Sequence, residues 1–227
     1  MEVAFNVPDS LSEIKLSDYQ KYASIIDGNT DEHFIKQKMV QIFCDVPLLA
    51  VNRMRRKDFN DICNVLVDTL SQRPGLTKVF ELDRKKFGFI PNLDNMSIGE
   101  FADLDKYMTE NKTLDRAMAV LFRPTTYIRK DKYRIEDYEG SSKYQRVLAD
   151  MPMDVVMGAL VFFWTLSTQL LAITPKYLER KVQTKKGIRR DLEKNGVGFS
   201  TSINLLRETC SKLEKLLKYQ SGKPLPS

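Results

Sequence analysis

MDVVMGALVFFWTLSTQLLAIT, residues 153–174, carries a single charge, Asp154, and no other follows until Lys176. Whether this stretch crosses a membrane or fills the centre of a globular core decides the fold. From Val155 to Thr174 there are 20 uncharged residues, about 30 Å of helix, which matches the thickness of a hydrocarbon core. The basic run just beyond it suits a membrane flank. Against that reading, Thr165, Ser167, Thr168, Gln169 and Thr174 dilute the apolar signal of the second half. At about 100° per residue, Asp154, Gly158, Thr165, Gln169 and Ala172 share an arc of roughly 60°. A narrow stripe of small and polar residues on an apolar cylinder suits a helix enclosed on most sides, with one edge near water or a close neighbour. Pro152 fits the first turn of such a helix. The pattern favours a core helix, with a small membrane protein spanning 155–174 as the alternative.

Amphipathic segments upstream supply what this helix would bury. Ser17 and Asp18 open a helix that carries Tyr19, Tyr22, Ala23 and Ile26 on one face, and Gly28-Asn29 closes it. A second helix, capped by Thr30 or Asp31, turns Phe34, Ile35, Met39, Ile42 and Phe43 inward. A third starts near Lys57 and repeats apolar residues at Phe59, Ile62, Cys63, Leu66 and Leu70 before Arg73-Pro74-Gly75. Ser97 and Glu100 form an S-x-x-E capping box, followed by Phe101, Leu104, Tyr107 and Met108 as the apolar side. The segment TLDRAMAVLFRP, 113–124, repeats that logic, with Thr113 as cap and Pro124 as stop. The Phe101/Tyr107 and Met118/Phe122 faces belong against the central helix, and Trp164 sits in that core. Residues 124–140 are the least regular stretch, an excursion or a small surface hairpin.

Two places change period. VAFNVP and SEIKL alternate apolar and polar residues, the signature of a small N-terminal strand pair. TKVFEL and KKFGFIP flank Asp83-Arg84 as a β-hairpin near 76–91, although the turn lacks the glycine or asparagine such turns prefer. The fold class read from these patterns is mainly α, a helical bundle around a central apolar helix at about 152–173. Residues 1–175 make one compact domain, 176–198 a basic connector, and 199–227 a C-terminal helix with a loose tail.

The charge is uneven. Of the overall +6, a local +5 falls on 176–194, where eight basic residues face three acids. Lys176, Arg180, Lys181, Lys185, Lys186, Arg189 and Arg190 are candidates for phosphates or for an acidic protein surface. Apart from Tyr177 the strip lacks the interleaved aromatics of a single-strand platform, which favours the protein partner. Ile203, Leu206, Leu213 and Leu217 form a narrow apolar seam of coiled-coil type, a second candidate interface.

Signs of catalysis are sparse. His33 is the single histidine and sits in the first turn of a helix beside Asp31 and Glu32. Cys44, Cys63 and Cys210 have no metal-ligand spacing and read as reduced thiols of a cytosolic protein. Of the acids Asp94, Glu100, Asp103 and Asp105, Glu100 belongs to the capping box, and the group lacks the order of a calcium loop. No phosphate-binding, dinucleotide, zinc-protease or nucleophile-elbow motif occurs. The expectation is a non-enzymatic binding protein with no cofactor or metal. A nucleic-acid-associated protein using 176–194 is the alternative.

FGFIPNLDNMSIGEFADLDKYM with AMAVLFRP, and YRIEDYEG with MPMDVVMGALVFFWTL, resemble in order and spacing small proteins encoded among the structural and assembly genes of tailed bacteriophages, including crAss-like phages and their marine relatives. The resemblance covers roughly residues 85–175. It implies a protein of virion morphogenesis, either a tail assembly chaperone or a minor virion component. Its setting would be the host cytoplasm and, for a component, the virion. The implied partners are phage structural proteins or another copy of the chain.

Overall fold

The computed structural model describes residues 5–108, 110–130 and 132–166. Within them the protein is mainly helical, with one small four-stranded antiparallel sheet. Four helices lead: α1 Leu16–Ile26, α2 Glu32–Phe43, α3 Leu48–Asn52 and α4 Arg56–Leu70. The hairpin β1 Val79–Leu82 and β2 Lys85–Phe89 follows, then α5 Ile98–Tyr107 and α6 Leu114–Leu121. A second hairpin, β3 Phe122–Arg129 and β4 Lys132–Ile135, completes the sheet in the order β1-β2-β3-β4. The short α7 Gln145–Leu148 precedes the apolar helix α8, helical throughout 153–166.

The opening stretch begins inside the protein core. Met153, Val155, Val156, Met157, Ala159 and Leu160 are all buried, and residues 161–166 are half-buried. Gly158 is the point of closest approach: a Cβ there would run into the carbonyl of Gly75, so the chain leaving α4 crosses α8 backbone to backbone. No helix among the described residues is long and apolar enough to cross a membrane. α6 is enclosed as fully as α8, with Leu114, Ala117, Met118, Ala119, Val120 and Leu121 all buried, as befits a helix that is apolar nearly all round. The sheet meets these helices through aromatic rings. Phe89 of β2 packs edge-on to Phe162 of α8 at 5.7 Å and lies 6.0 Å from Phe163, while inside the sheet Phe122 meets Phe89 at 5.3 Å and Phe80 at 5.4 Å.

Several local expectations need correction. Among the described residues no N-terminal strand pair forms. Ser10 accepts from the Ser12 amide and starts a 3-10 turn at Leu11–Glu13. The polar backbone beyond it is satisfied at a distance: the Leu16 amide donates to Met151 at 2.9 Å, and the Met153 amide to Ile14 at 2.8 Å. The N-terminal segment therefore clamps the entry to α8 instead of pairing with itself. α1 begins at Leu16 with no side-chain cap from Lys15, and Asp31, not Thr30, caps α2 by accepting from the His33 and Phe34 amides. Thr113 does not cap α6; its hydroxyl donates to the carbonyls of Tyr107 and Glu110. Pro124 is not a simple stop either. α6 ends at Leu121 and passes without a loop into β3, where Pro124 pairs with Phe87. A residue before proline is driven out of the helical region, so Arg123 is already strand. The irregular stretch 124–140 thus supplies half of the sheet.

The 76–91 hairpin is present, with Leu82 paired to Lys85 across a two-residue turn. Asp83 and Arg84 stand at φ 49° and 63°, the left-handed pair that such a turn demands even without glycine.

Candidate functional site

Two surfaces are shaped by the sheet, and a buried ion pair governs the first. Ser97 and Glu100 close the capping box: the Ser97 amide donates to Glu100 Oε2 at 2.6 Å, and the Glu100 amide to Ser97 Oγ at 3.2 Å. The other carboxylate oxygen, Oε1, takes Arg123 Nη1 of β3 at 2.6 Å, with both side chains over nine-tenths buried. The Arg123 guanidinium lies over the Tyr138 ring, whose hydroxyl donates to Asp103 of α5. Burial pushes the Glu100 carboxyl upward, but its Ser97 hydrogen bonds and Arg123 outweigh burial and hold it below the ordinary carboxylate range. Burial, reinforced by Asp103, raises the Tyr138 phenol. These groups pin α5 to the sheet.

The pinning sets which side of α5 meets water. With Glu100, Leu104 and Tyr107 inward, Ile98 lies about 160° and Phe101 about 100° around the helix from them. Ile98 is 90% exposed and Phe101 53% exposed. The expectation that Phe101 packs inward with Tyr107 is thereby corrected. Leu104, Tyr107 and Met108 are buried, but Glu100 takes the place on the inner face that apolar spacing alone assigns to Phe101. The result is a fixed pair of apolar side chains facing outward at i, i+3.

The second surface is a basic ribbon. β2 pairs with β3 only over Phe122–Pro124, and a register irregularity follows between Thr125 and Tyr127. Beyond it β3 and β4 pair with each other, Tyr127 with Arg134, Ile128 with Tyr133 and Arg129 with Lys132. The base is anchored: the Tyr133 hydroxyl donates to the Phe89 carbonyl at 2.8 Å, and its ring lies where a Gly88 side chain would be. Arg129, Lys130, Lys132 and Arg134 are exposed, as are Lys78, Arg84, Lys85 and Lys86 around the first hairpin. None of these eight forms a salt bridge among the described residues. Over 78–86 and 129–134 they face three acids, Glu81, Asp83 and Asp131. Clefts of about 480 Å³, lined by Lys78, Lys86, Ile128, Lys130 and Tyr133 among others, and about 870 Å³, with Lys78, Lys132 and Arg134 beside an apolar floor, border the ribbon.

Sequence reasoning placed the basic surface elsewhere. Lys176, Arg180, Lys181, Lys185, Lys186, Arg189 and Arg190, and the seam Ile203, Leu206, Leu213 and Leu217, lie outside the described residues, as do the connector 176–198, the segment 199–227 and Cys210. The ribbon went unread because its charges are spread over two segments far apart in the chain. The alternation of cations and aromatics in YIRKDKYR, 127–134, was the available signal. His33 is exposed, its ring 5.9 Å from that of Phe59. Cys44 and Cys63 are buried; burial pushes the Cys44 thiol up to about 11 and raises that of Cys63. Trp164 packs partly buried against the core. Among the described residues no cluster of histidine, cysteine, aspartate or glutamate is placed to hold a metal ion.

No family model matches the chain, nor does any curated protein or solved structure.

Proposed function

We propose that this chain is a non-enzymatic protein-binding factor in the virion morphogenesis of a tailed phage, acting as a tail assembly chaperone or as a minor virion component. On this reading the helical body is organised around the helix spanning about 152–173. The protein works in the host cytoplasm and, as a component, stays with the particle. The phage setting rests on the resemblance over residues 85–175. The observation that carries the binding role is the outward pair Ile98 and Phe101 on α5. An aliphatic and an aromatic side chain held on one exposed helix face form an anchor for an apolar groove in a structural protein of the virion. The buried Glu100–Arg123 pair keeps them presented before any partner arrives.

The test is affinity purification of the full chain from infected cells, comparing wild type with Ile98→Asp/Phe101→Asp, with mass spectrometry of purified particles alongside. Wild type retains identified virion structural proteins, and the double variant, folded normally, loses them. Equal recovery by both forms, or no virion protein with wild type, overturns the reading.

A further inference from the structure

We infer that the β3–β4 ribbon binds duplex DNA, inserting as a two-stranded arm into the major groove. This goes beyond the protein-binding reading and uses a different surface, so either can fail alone. Past the irregularity at Thr125–Tyr127 the ribbon is only two strands wide. Strands lie about 4.8 Å apart, and a B-DNA major groove about 12 Å wide admits such a ribbon with its side chains. Three paired positions, Tyr127 to Arg129 with Lys132 to Arg134, span about 10 Å, comparable to a groove depth of about 8.5 Å.

Charge points the same way. Arg129 and Lys132 stand directly opposite each other across the ladder, an arrangement that repels and destabilises a strand pair unless an anion lies between. Lys130 continues the series at the turn, and Arg134 pairs across from Tyr127, with no ion pair on any of the four among the described residues. Lys78, Lys85 and Lys86 extend the positive surface along the neighbouring hairpin. Single-stranded nucleic acid fits less well, because a stacking platform needs successive free rings. Only Tyr127 offers one, since the Tyr133 ring covers Gly88 and its hydroxyl is engaged by Phe89.

The experiment uses the full chain and a labelled duplex of arbitrary sequence, about three helical turns long, in anisotropy titrations between about 50 and 200 mM salt. Four ribbon contacts give a log–log slope of about −3.6, and the three flanking lysines bring it toward about −6. Arg129→Glu/Lys130→Glu/Lys132→Glu/Arg134→Glu should weaken binding at least about tenfold and remove about 3.6 from the slope. Lys185→Glu/Lys186→Glu/Arg189→Glu/Arg190→Glu should leave that ribbon-dependent part in place. If the ribbon quadruple variant melts abnormally, Lys130→Gln/Lys132→Gln replaces it, with about 1.8 removed from the slope. Duplex binding unchanged by the ribbon variants, loss only with the 185–190 variant, tighter binding to the matching single strand, or binding only to an acidic protein overturns the inference.

Discussion

Replacing Gly158 by alanine tests how the apolar helix docks. In an ordinary helix interior, glycine to alanine gains about 1 kcal/mol, because alanine loses less backbone freedom on folding. At Gly158 the added methyl collides with the Gly75 carbonyl oxygen, and also stands 3.0 Å from Gly75 C and 3.3 Å from Leu76 Cα. All three are backbone atoms, so no side-chain rotation relieves the contact. Overpacking of this kind costs about 1–3 kcal/mol, and a backbone-limited site belongs at the upper end. After the helix-propensity gain is subtracted, Gly158→Ala should destabilise by about 2 kcal/mol, a fall of about 4–8 °C in Tm for a chain of this size. Gly99→Ala on α5 is the control. Its nearest neighbour is Ser97 Oγ at 4.0 Å, so a gain of about 0.5 kcal/mol is expected in that first turn. Urea unfolding followed by Trp164 fluorescence and far-UV circular dichroism reads both variants. Opposite signs support the docking; a Gly158→Ala protein as stable as wild type, or more so, refutes it.

Arg84→Gly should stabilise by about 1 kcal/mol, because φ 63° burdens a residue with a Cβ and glycine adopts it freely; an unchanged melting temperature would show that the turn relaxes otherwise. The Glu100 carboxyl is held below its ordinary range in the fold, so its stabilisation is complete above the unfolded value of about 4.3 and disappears as pH falls through the folded value. Glu100→Gln, which leaves Arg123 buried without its counter-charge, should cost about 3 kcal/mol at neutral pH and flatten this acid limb in pH-dependent unfolding; an acid limb as steep as wild type's would count against the pair. Leu104→Ala should cost about 2–5 kcal/mol and Phe101→Ser less than about 0.5 in the same denaturation assay, since one side chain is buried and the other is not. Leu206→Ser/Leu213→Ser should change sedimentation or melting if the C-terminal seam packs on the body or on a second copy, and no change in either contradicts the seam.

What the sequence by itself determined is local. The apolar repeats of α2 and α4, the Ser97–Glu100 capping box and the hairpin around Asp83-Arg84 are written in spacings of two to four residues or in a single turn. Such features follow from helix and strand geometry and from nearby hydrogen bonds, so nearby residues suffice to read them. Tertiary structure decided whatever depends on partners far along the chain. SEIKL alternates like a strand, yet its backbone is satisfied by Met151 and Met153, so it clamps α8 and pairs with no neighbouring strand. Phe101 matches the apolar period of α5, yet it faces outward because Arg123 on β3 draws Glu100 into the core, and a buried charge must keep its partner. Pro124, an apparent helix stop, lies inside a strand because it pairs with Phe87 of β2 and its carbonyl accepts from the Glu136 amide just past β4. The basic ribbon became a surface only when two hairpins, separated in the chain by α5 and α6, joined one sheet and brought their cations together. Periodicity records which face an isolated element would bury, whereas ion pairs and sheet pairing between distant segments set which face it does bury.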